Sequence, residues 1–292
     1  MTEHSSSENT WEISSETLKK YETLKTNLLK AGRIAVAFSG GVDSVLLLKT
    51  AHDVLGEDAL AFTAVSPAFP AWEKEEAAAF CREEGIRQIL IESHEMDAPG
   101  YRQNPKDRCY LCKHALFSGL IKAAEEHGCA YLADGTNVDD TGDYRPGMKA
   151  LTEMGIRSPL KEAGLTKKEI RQLLRRLGLP FSEKPSYACL STRFVYGQTI
   201  SEEKLAKVEQ AEDVLLGLGL AQERVRIHQE EAGDLARIEV LPQDFRKLLE
   251  HREMIARRFR EIGFIYTALD LTGYRTGSMN ESLSSAEREK YQ

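Results

Sequence analysis

The chain has no apolar run that approaches the ~20 residues a bilayer-spanning helix needs. Residues 1–10 are polar and Ser-rich, and they lack the basic and apolar regions of a secretory signal. These absences lead us to expect a cytoplasmic protein with a short disordered amino-terminal tail and no membrane partner. Positive charge is not in excess. The 39 Lys and Arg stand against 46 Asp and Glu, a net charge of −7, which disfavours a nucleic-acid surface but leaves room for a local basic pocket. Cysteine is scarce and odd in number, at five, so a disulfide framework is not expected. What is present, 41% hydrophobic and 29% charged residues over 292, fits one large or two modest globular domains.

Periodicity organises the first half. Apolar residues Leu18, Tyr21, Leu24 and Leu28 fall at helical spacing within 11–31. The run 33–38 is too short for a helix and reads as a buried parallel strand. Further strands are expected at 59–65, 87–92 and 130–133, with helices at 45–55, 73–84 and 114–127 between and after them. Such alternation predicts a doubly wound α/β fold with a mostly parallel sheet, in which ligands sit beyond the carboxyl ends of the strands. A helix over 167–177 has Thr166 as a cap. Residues 180–196 are aperiodic, and beyond them the pattern changes to helix 202–218, strands 224–228 and 235–241, helix 244–262 and strand 265–271. We therefore expect a nucleotide domain over 15–188 and a smaller α+β domain over 189–282, with tails at 1–14 and 283–292.

Ser39-Gly-Gly-Val-Asp-Ser44 interrupts the first strand and helix. Gly40 and Gly41 allow close backbone approach and positive φ. Loop amides and the positive end of the following helix would face an anion, with Ser39 and Ser44 as hydroxyl donors. Asp43 suits phosphate only through a cation, which assigns it to Mg²⁺. No Walker-type lysine follows, so a P-loop NTPase is excluded. The hexapeptide resembles the signature of the PP-loop ATP pyrophosphatases, which cleave ATP between the α and β phosphates and activate a carbonyl oxygen as an adenylate. That resemblance implies ATP as the cofactor, adenine held near Ser66, and closure over the nucleotide by Gly135 and Thr136 in Gly135-Thr-Asn-Val-Asp-Asp140.

Cys109 and Cys112 form a close pair in Asp107-Arg-Cys-Tyr-Leu-Cys-Lys113, placed just before a helix, and Cys189 lies in the aperiodic loop. Basic flanks and a helix amino end predict lowered thiol pKa values. Three uses compete. All three thiolates could hold a [4Fe–4S] cluster, Cys189 alone could donate or carry sulfur, or all could be buried structural cysteines. Zinc wants a fourth ligand. Cys81 and Cys129 read as core residues.

With these motifs come Asp143-Tyr-Arg-Pro-Gly147, Arg157-Ser-Pro-Leu160, Ala188-Cys-Leu-Ser-Thr-Arg193, Arg224-Val-Arg-Ile-His228, Ala236-Arg-Ile-Glu239 and Gly273-Tyr-Arg-Thr-Gly-Ser-Met-Asn280. In this order, over about residues 15–282, the chain resembles the LarE family of ATP-dependent sulfur transferases. The resemblance implies a pyridinium-3,5-biscarboxylic acid mononucleotide as acceptor, adenylylated with ATP and Mg²⁺ and then thiolated toward the nickel-pincer nucleotide. It further implies Cys189 as the sulfur-bearing position. Either Cys189 is consumed, or Cys109, Cys112 and Cys189 hold a [4Fe–4S] cluster. Enzymes of the same cofactor pathway and further copies of the chain are the implied partners, and a tRNA thiolase is the competing reading. Arg224 and Arg226 alternate on a short strand and so face one side. Pattern alone makes them solvated strand charges, whereas the resemblance makes them a clamp for the acceptor phosphate. Arg193 is expected to orient the acceptor or to stabilise charge at the adenylate, with Glu239 and His228 as weaker candidates.

Overall fold

The alternation of short apolar runs with amphipathic stretches is realised as a parallel sheet between two helical layers. The computed structural model describes residues 13–141, 146–220, 222–275 and 277–278. Most of the amino-terminal tail, the tail at 283–292, and Asp143, Tyr144, Arg145, Thr276, Met279 and Asn280 of the quoted motifs lie outside the described residues. The elements are α1 (Ser15–Ala31), β1 (Ile34–Ala37), α2 (Val42–Leu55), β2 (Ala59–Val65), α3 (Ala71–Glu83), β3 (Gln88–Glu92), α4 (Arg108–Glu126), β4 (Leu132–Ala133), α5 (Pro146–Glu153), α6 (Pro159–Glu162), α7 (Lys167–Arg176), α8 (Glu202–Leu216), β5 (Glu223–Glu230), β6 (Gly233–Val240), α9 (Phe245–Glu250), α10 (Arg252–Ile262) and β7 (Phe264–Leu269).

The first sheet has the order β3-β2-β1-β4, all parallel, with Val36 opposite both Ala61 and Ala133. Its strands are buried on both faces, which is why they read as continuous apolar runs. Ile34, Val36, Ala59 and Ala61 pack with Leu24 and Leu28 of α1, Val45 and Leu48 of α2, Phe80 of α3 and Leu173 of α7. The alternate residues Ala35, Leu60 and Phe62 face Leu116, Phe117 and Leu120 of α4 and Leu151 of α5. The strand order reverses between β1 and β4, and that switch point places the site.

The second sheet pairs β5 antiparallel with β6, and β6 parallel with β7. Its core joins Leu205, Val208 and Ala211 of α8 to Val225, Ile227, Ile238 and Phe259. Met96 and Tyr101, from the β3–α4 connection, enter this second core. They are carried there by chain-to-chain bonds. Gly197 N–H donates to the Asn104 carbonyl at 2.9 Å and Ile200 N–H to the Arg102 carbonyl at 2.8 Å.

Candidate active site

The chain leaves β1 and turns into α2 through the Ser39–Ser44 hexapeptide. Gly40 makes the turn possible. Its φ is +73°, and a Cβ there would sit 3.1 Å from the Cβ of Ala77 in α3. Gly41, expected to share that freedom, instead has φ −76° and is the N-cap residue of α2. Asp43 lies in the first turn of α2, where a carboxylate is favoured by the helix dipole. Ser44 Oγ donates to the Gly41 carbonyl at 3.0 Å and lies 3.3 Å from Ser39 Oγ. Gly135, just past β4, closes the gap from the other side. A Cβ there would be 3.0 Å from Ser44 N and 3.2 Å from the Asp43 Cβ.

A cavity of about 440 Å³ opens at this point, within the range of small-molecule sites. Ser39, Gly41, Asp43 and Ser44 form one wall, and Asp134, Gly135 and Thr136 a second. Glu73, Lys74, Lys113 and Tyr187 face them, with Phe62, Phe117 and Leu120 as apolar lining. Thr136 donates its hydroxyl to Asp134, which also accepts from Ser158 Oγ at 2.6 Å. Ser66 is not on the wall. It is buried, its hydroxyl donates to Glu95, and its oxygen accepts from Ala68 N–H at 2.9 Å.

Lysines from distant segments reach the phosphate loop. Lys167 Nζ lies 2.5 Å from Asp43 Oδ2, and Asn137 Nδ2 donates to Asp43 Oδ1 at 3.3 Å. Burial nevertheless pushes the Asp43 carboxyl above its ordinary range, against the pull of Lys167. Lys184 Nζ donates to the Gly40 carbonyl at 2.9 Å and to Glu76, and lies over the Trp72 ring. Burial raises Glu73 to about 7, opposed by Lys184, Arg193 and Arg224.

The cysteines converge beside this cavity. α4 begins at Arg108, earlier than its apolar periodicity suggests, so Cys109 and Cys112 lie inside the helix and not before it. Three residues apart, they share a face. Cys189 precedes a single 3₁₀ turn, Leu190–Arg193. Arg108 links the two segments: its Nη2 lies 3.8 Å from Cys109 Sγ, and its Nη1 donates to the carbonyl of Ser191, two residues past Cys189. The chain joins these segments to the cavity at Lys113, next to Cys112, and at Tyr187, two residues before Cys189. Leu190 N–H also donates to the Ala68 carbonyl, in the loop after β2, at 2.8 Å. The expected lowering of the thiol pKa values is overturned for Cys112 and Cys189. Burial raises both, and neighbouring thiols add to it, outweighing Lys113 at the first and Arg108 and Arg193 at the second. All five cysteines are free. Cys81 is buried in the core and Cys129 is half-buried.

Four arginines pin the carbonyls of the Cys189 loop. Arg224 Nη2 donates to Ser186 O at 3.0 Å, Arg193 Nη1 to Ala188 O at 2.6 Å and Cys189 O at 3.1 Å, Arg108 Nη1 to Ser191 O at 2.8 Å, and Arg226 Nη1 to Thr192 O at 3.0 Å. Arg193 is 0% exposed, and its Nε and Nη2 each donate to Glu212 at 2.9 Å. Its guanidinium is thus committed to holding Cys189 in place. Arg224 and Arg226 are not solvated strand charges, being only 3% and 5% exposed. Arg224 stacks 4.2 Å from the Tyr187 ring centroid, while Tyr187 donates its hydroxyl to Glu212 at 2.6 Å. Arg226 Nη2 donates to Glu239 at 2.8 Å and to Ser278 Oγ at 2.9 Å, and its Nε is buried without a partner among the described residues. His228 Nε2 accepts from Arg237 Nε at 3.0 Å; burial and Arg237 lower its pKa.

Lys167, Lys184, Glu73, Lys113 and Tyr187 were not legible as site residues. The two lysines stand 124 and 144 positions from their partners in the phosphate loop, beyond any local spacing.

No family model matches the chain. An uncharacterized protein of Synechocystis is 43% identical over 267 residues, covering 91% of this chain and 98% of that protein. The pyridinium-3,5-bisthiocarboxylic acid mononucleotide synthase of Lactiplantibacillus plantarum is 37% identical over 269 residues, covering 92% of this chain and 96% of that one. The chain belongs to the LarE family. The likeness spans both sheets, so the LarE chain is matched as a whole. The tRNA-cytidine(32) 2-sulfurtransferase of Geobacter metallireducens is 31% identical over 121 residues, 39% of this chain and 47% of that protein. That narrower match reflects a shared PP-loop α/β fold among ATP-using enzymes. Among the described residues of this LarE protein no helix is long and apolar enough to cross a membrane.

Proposed function

We propose that this protein adenylylates a carboxylate of pyridinium-3,5-biscarboxylic acid mononucleotide with ATP and replaces an oxygen of that carboxylate with sulfur. The observation that carries this reading is a cavity walled by the phosphate loop on one side, whose lining residues Lys113 and Tyr187 are next to Cys112 and two residues before Cys189 in the chain. A tRNA substrate would require a basic surface, and the chain carries a net charge of −7.

The chemistry proceeds in two displacements. An acceptor carboxylate oxygen attacks the α-phosphorus of ATP, the bond to the β-phosphate oxygen breaks, and pyrophosphate leaves with the electron pair. A sulfur nucleophile then attacks the acyl carbon and AMP departs: sulfide leaves a thiocarboxylate directly, whereas Cys189 leaves a thioester that yields the thiocarboxylate only when its Cα proton is removed and its Cβ–S bond breaks, turning Cys189 into dehydroalanine. Ser39, Ser44 and the loop amides hold the phosphates, Gly135 and Thr136 close over them, and Ser66 keeps the turn beneath the adenine side in place. Mg²⁺ in nucleotide sites relies on one or two carboxylates plus the phosphates themselves, and Asp43 fits that role. Held by Asp43, such an ion would supply positive charge to offset that on the leaving pyrophosphate. Arg193 positions Cys189. We assign the acceptor phosphate to Arg224 and Arg226, whose guanidiniums here hold the Ser186 and Thr192 carbonyls of the Cys189 loop. On this reading residues 15–188 bind nucleotide and 189–282 bind the acceptor.

Among the described residues no three His, Cys, Asp or Glu stand close enough to hold a single metal ion. Thiolates are the donors a [4Fe–4S] cluster takes, and Cys109, Cys112 and Cys189 are all free. Cys109, Cys112 and Cys189 would hold it, and such a cluster would supply an iron open to sulfide. The alternative, consumption of Cys189 itself, has the same geometry. Mass spectrometry of acceptor and protein after incubation with ATP and Mg²⁺ tests the reading. AMP and a thiocarboxylate in equal amounts support it, and AMP without acceptor dependence rejects it. A protein lighter by the mass of H₂S identifies consumption of Cys189.

A further inference from the structure

Asp43 is the residue best placed to meet the cation of a nucleotide, yet its carboxylate already holds one. Lys167 Nζ lies 2.5 Å from Oδ2, and the Asn137 amide donates to Oδ1 at 3.3 Å. The lysine is held there by its own helix. Lys167 is the first residue of α7, whose N-cap Thr166 and third residue Glu169 form a reciprocal capping box. Glu169 is in turn tied to α1 by Lys20 Nζ at 2.9 Å and by Thr17 Oγ1 at 3.1 Å. The Lys167 backbone N–H donates to Asp139 Oδ2 at 2.8 Å. The Lys167 side chain therefore projects from a fixed point, and only its flexible end is free to change partner.

We infer that Lys167 is an exchangeable counter-cation that pairs with Asp43 and moves to the pyrophosphate oxygens when a magnesium–nucleotide complex arrives. The inference rests on the phosphate-loop reading and adds a binding residue to it. Two positive charges cannot share one carboxylate oxygen without strong repulsion. Metal entry must displace the ammonium, and the nearest new anion is the phosphate chain that the metal brings with it. Lysine, a compact charge on a flexible stem, suits this exchange better than a fixed guanidinium fork. The arrangement makes metal and nucleotide binding mutually dependent. Metal alone must expel Lys167 into a site with no phosphate to receive it, whereas the metal–nucleotide complex supplies that phosphate.

The test uses the full chain at about pH 8, with Mn²⁺ as metal probe read by electron paramagnetic resonance, and pyrophosphate as anion probe read by calorimetry with Mg²⁺ present. Lys167→Met is expected to bind Mn²⁺ without nucleotide more tightly than wild type, and to bind pyrophosphate about tenfold to a hundredfold more weakly, the loss of one charge-assisted hydrogen bond. Lys167→Arg is expected to keep Mn²⁺ affinity low and to recover part of the pyrophosphate affinity. Circular dichroism confirms that both variants fold. If wild type binds pyrophosphate and Lys167→Met matches it for both probes, the inference is overturned while the phosphate loop stands. If wild type binds no pyrophosphate, the phosphate-loop reading fails and the inference with it.

Discussion

Lys184 Nζ donates to the carbonyl oxygen of Gly40 at 2.9 Å, tying the segment that leads to Cys189 directly to the phosphate loop. The side chain is 9% exposed and also pairs with Glu76. A buried hydrogen bond to a charged group contributes about 1.5–3 kcal/mol. Lys184→Met should lower stability by about that amount and loosen the link between the two half-reactions. The measurement is AMP released per thiocarboxylate formed, which should rise in the variant. An unchanged ratio would mean that the tie is structural only.

The two glycines of the loop should differ. Gly40 needs positive φ and has Ala77 at 3.1 Å from any added Cβ, whereas Gly41 has ordinary φ and would meet only the Ser39 side chain, at 3.3 Å. Gly40→Ala should therefore cost about 1–3 kcal/mol and most of the ATP affinity. Gly41→Ala should leave stability within about 1 kcal/mol of wild type. Urea unfolding and nucleotide titration of the two variants check the contrast.

Glu73 lines the nucleotide cavity with a carboxyl raised to about 7. Because the folded-state value lies above the unfolded one, the stability this group contributes is present at acid pH and is lost as pH rises through about 7. The charge that appears there also repels phosphate. Wild-type ATP affinity should fall between about pH 6 and about pH 8, and Glu73→Gln should flatten that fall. The same variant should gain thermal stability relative to wild type as pH rises from about 4.5 to about 7, with no further gain above that. Parallel profiles for the two proteins would show that Glu73 stays charged throughout.

Arg193 and Glu212 form a fully buried two-bond pair beneath Cys189. Removing one partner leaves the other charge uncompensated, at a cost of about 3–5 kcal/mol. Arg193→Met should show this loss in urea unfolding, and Arg193→Met combined with Glu212→Leu should recover much of it. The double variant should still transfer sulfur poorly, since the Ala188 and Cys189 carbonyls lose their donor.

The parallel sheet and the phosphate loop were legible because both are written in short contiguous segments. The apolar run before Ser39, the double glycine and the helix after it need no distant partner to be read. The cysteines were legible as residues but not in their setting. Cys109 and Cys112 lie inside α4 because Arg108 is anchored from outside the helix, by Asn104 at 2.5 Å and Ser191 at 2.8 Å. Arg224 and Arg226 looked like surface charges because alternation alone suggests one wet face. β5 is buried along most of its length, with the Cys189 loop and Tyr187 covering these arginines. Lys167 and Lys184 reach the phosphate loop only through the tertiary fold.

Activation at Asp43 and sulfur delivery at Cys189 are separable steps. Purified Asp43→Ala and Cys189→Ala proteins, each given ATP, Mg²⁺ and the biscarboxylate mononucleotide, are followed for AMP and for thiocarboxylate by mass spectrometry. Asp43→Ala should form neither, and Cys189→Ala should release AMP while leaving the acceptor without sulfur. Normal thiolation by Cys189→Ala, or full AMP release by Asp43→Ala, would contradict the account.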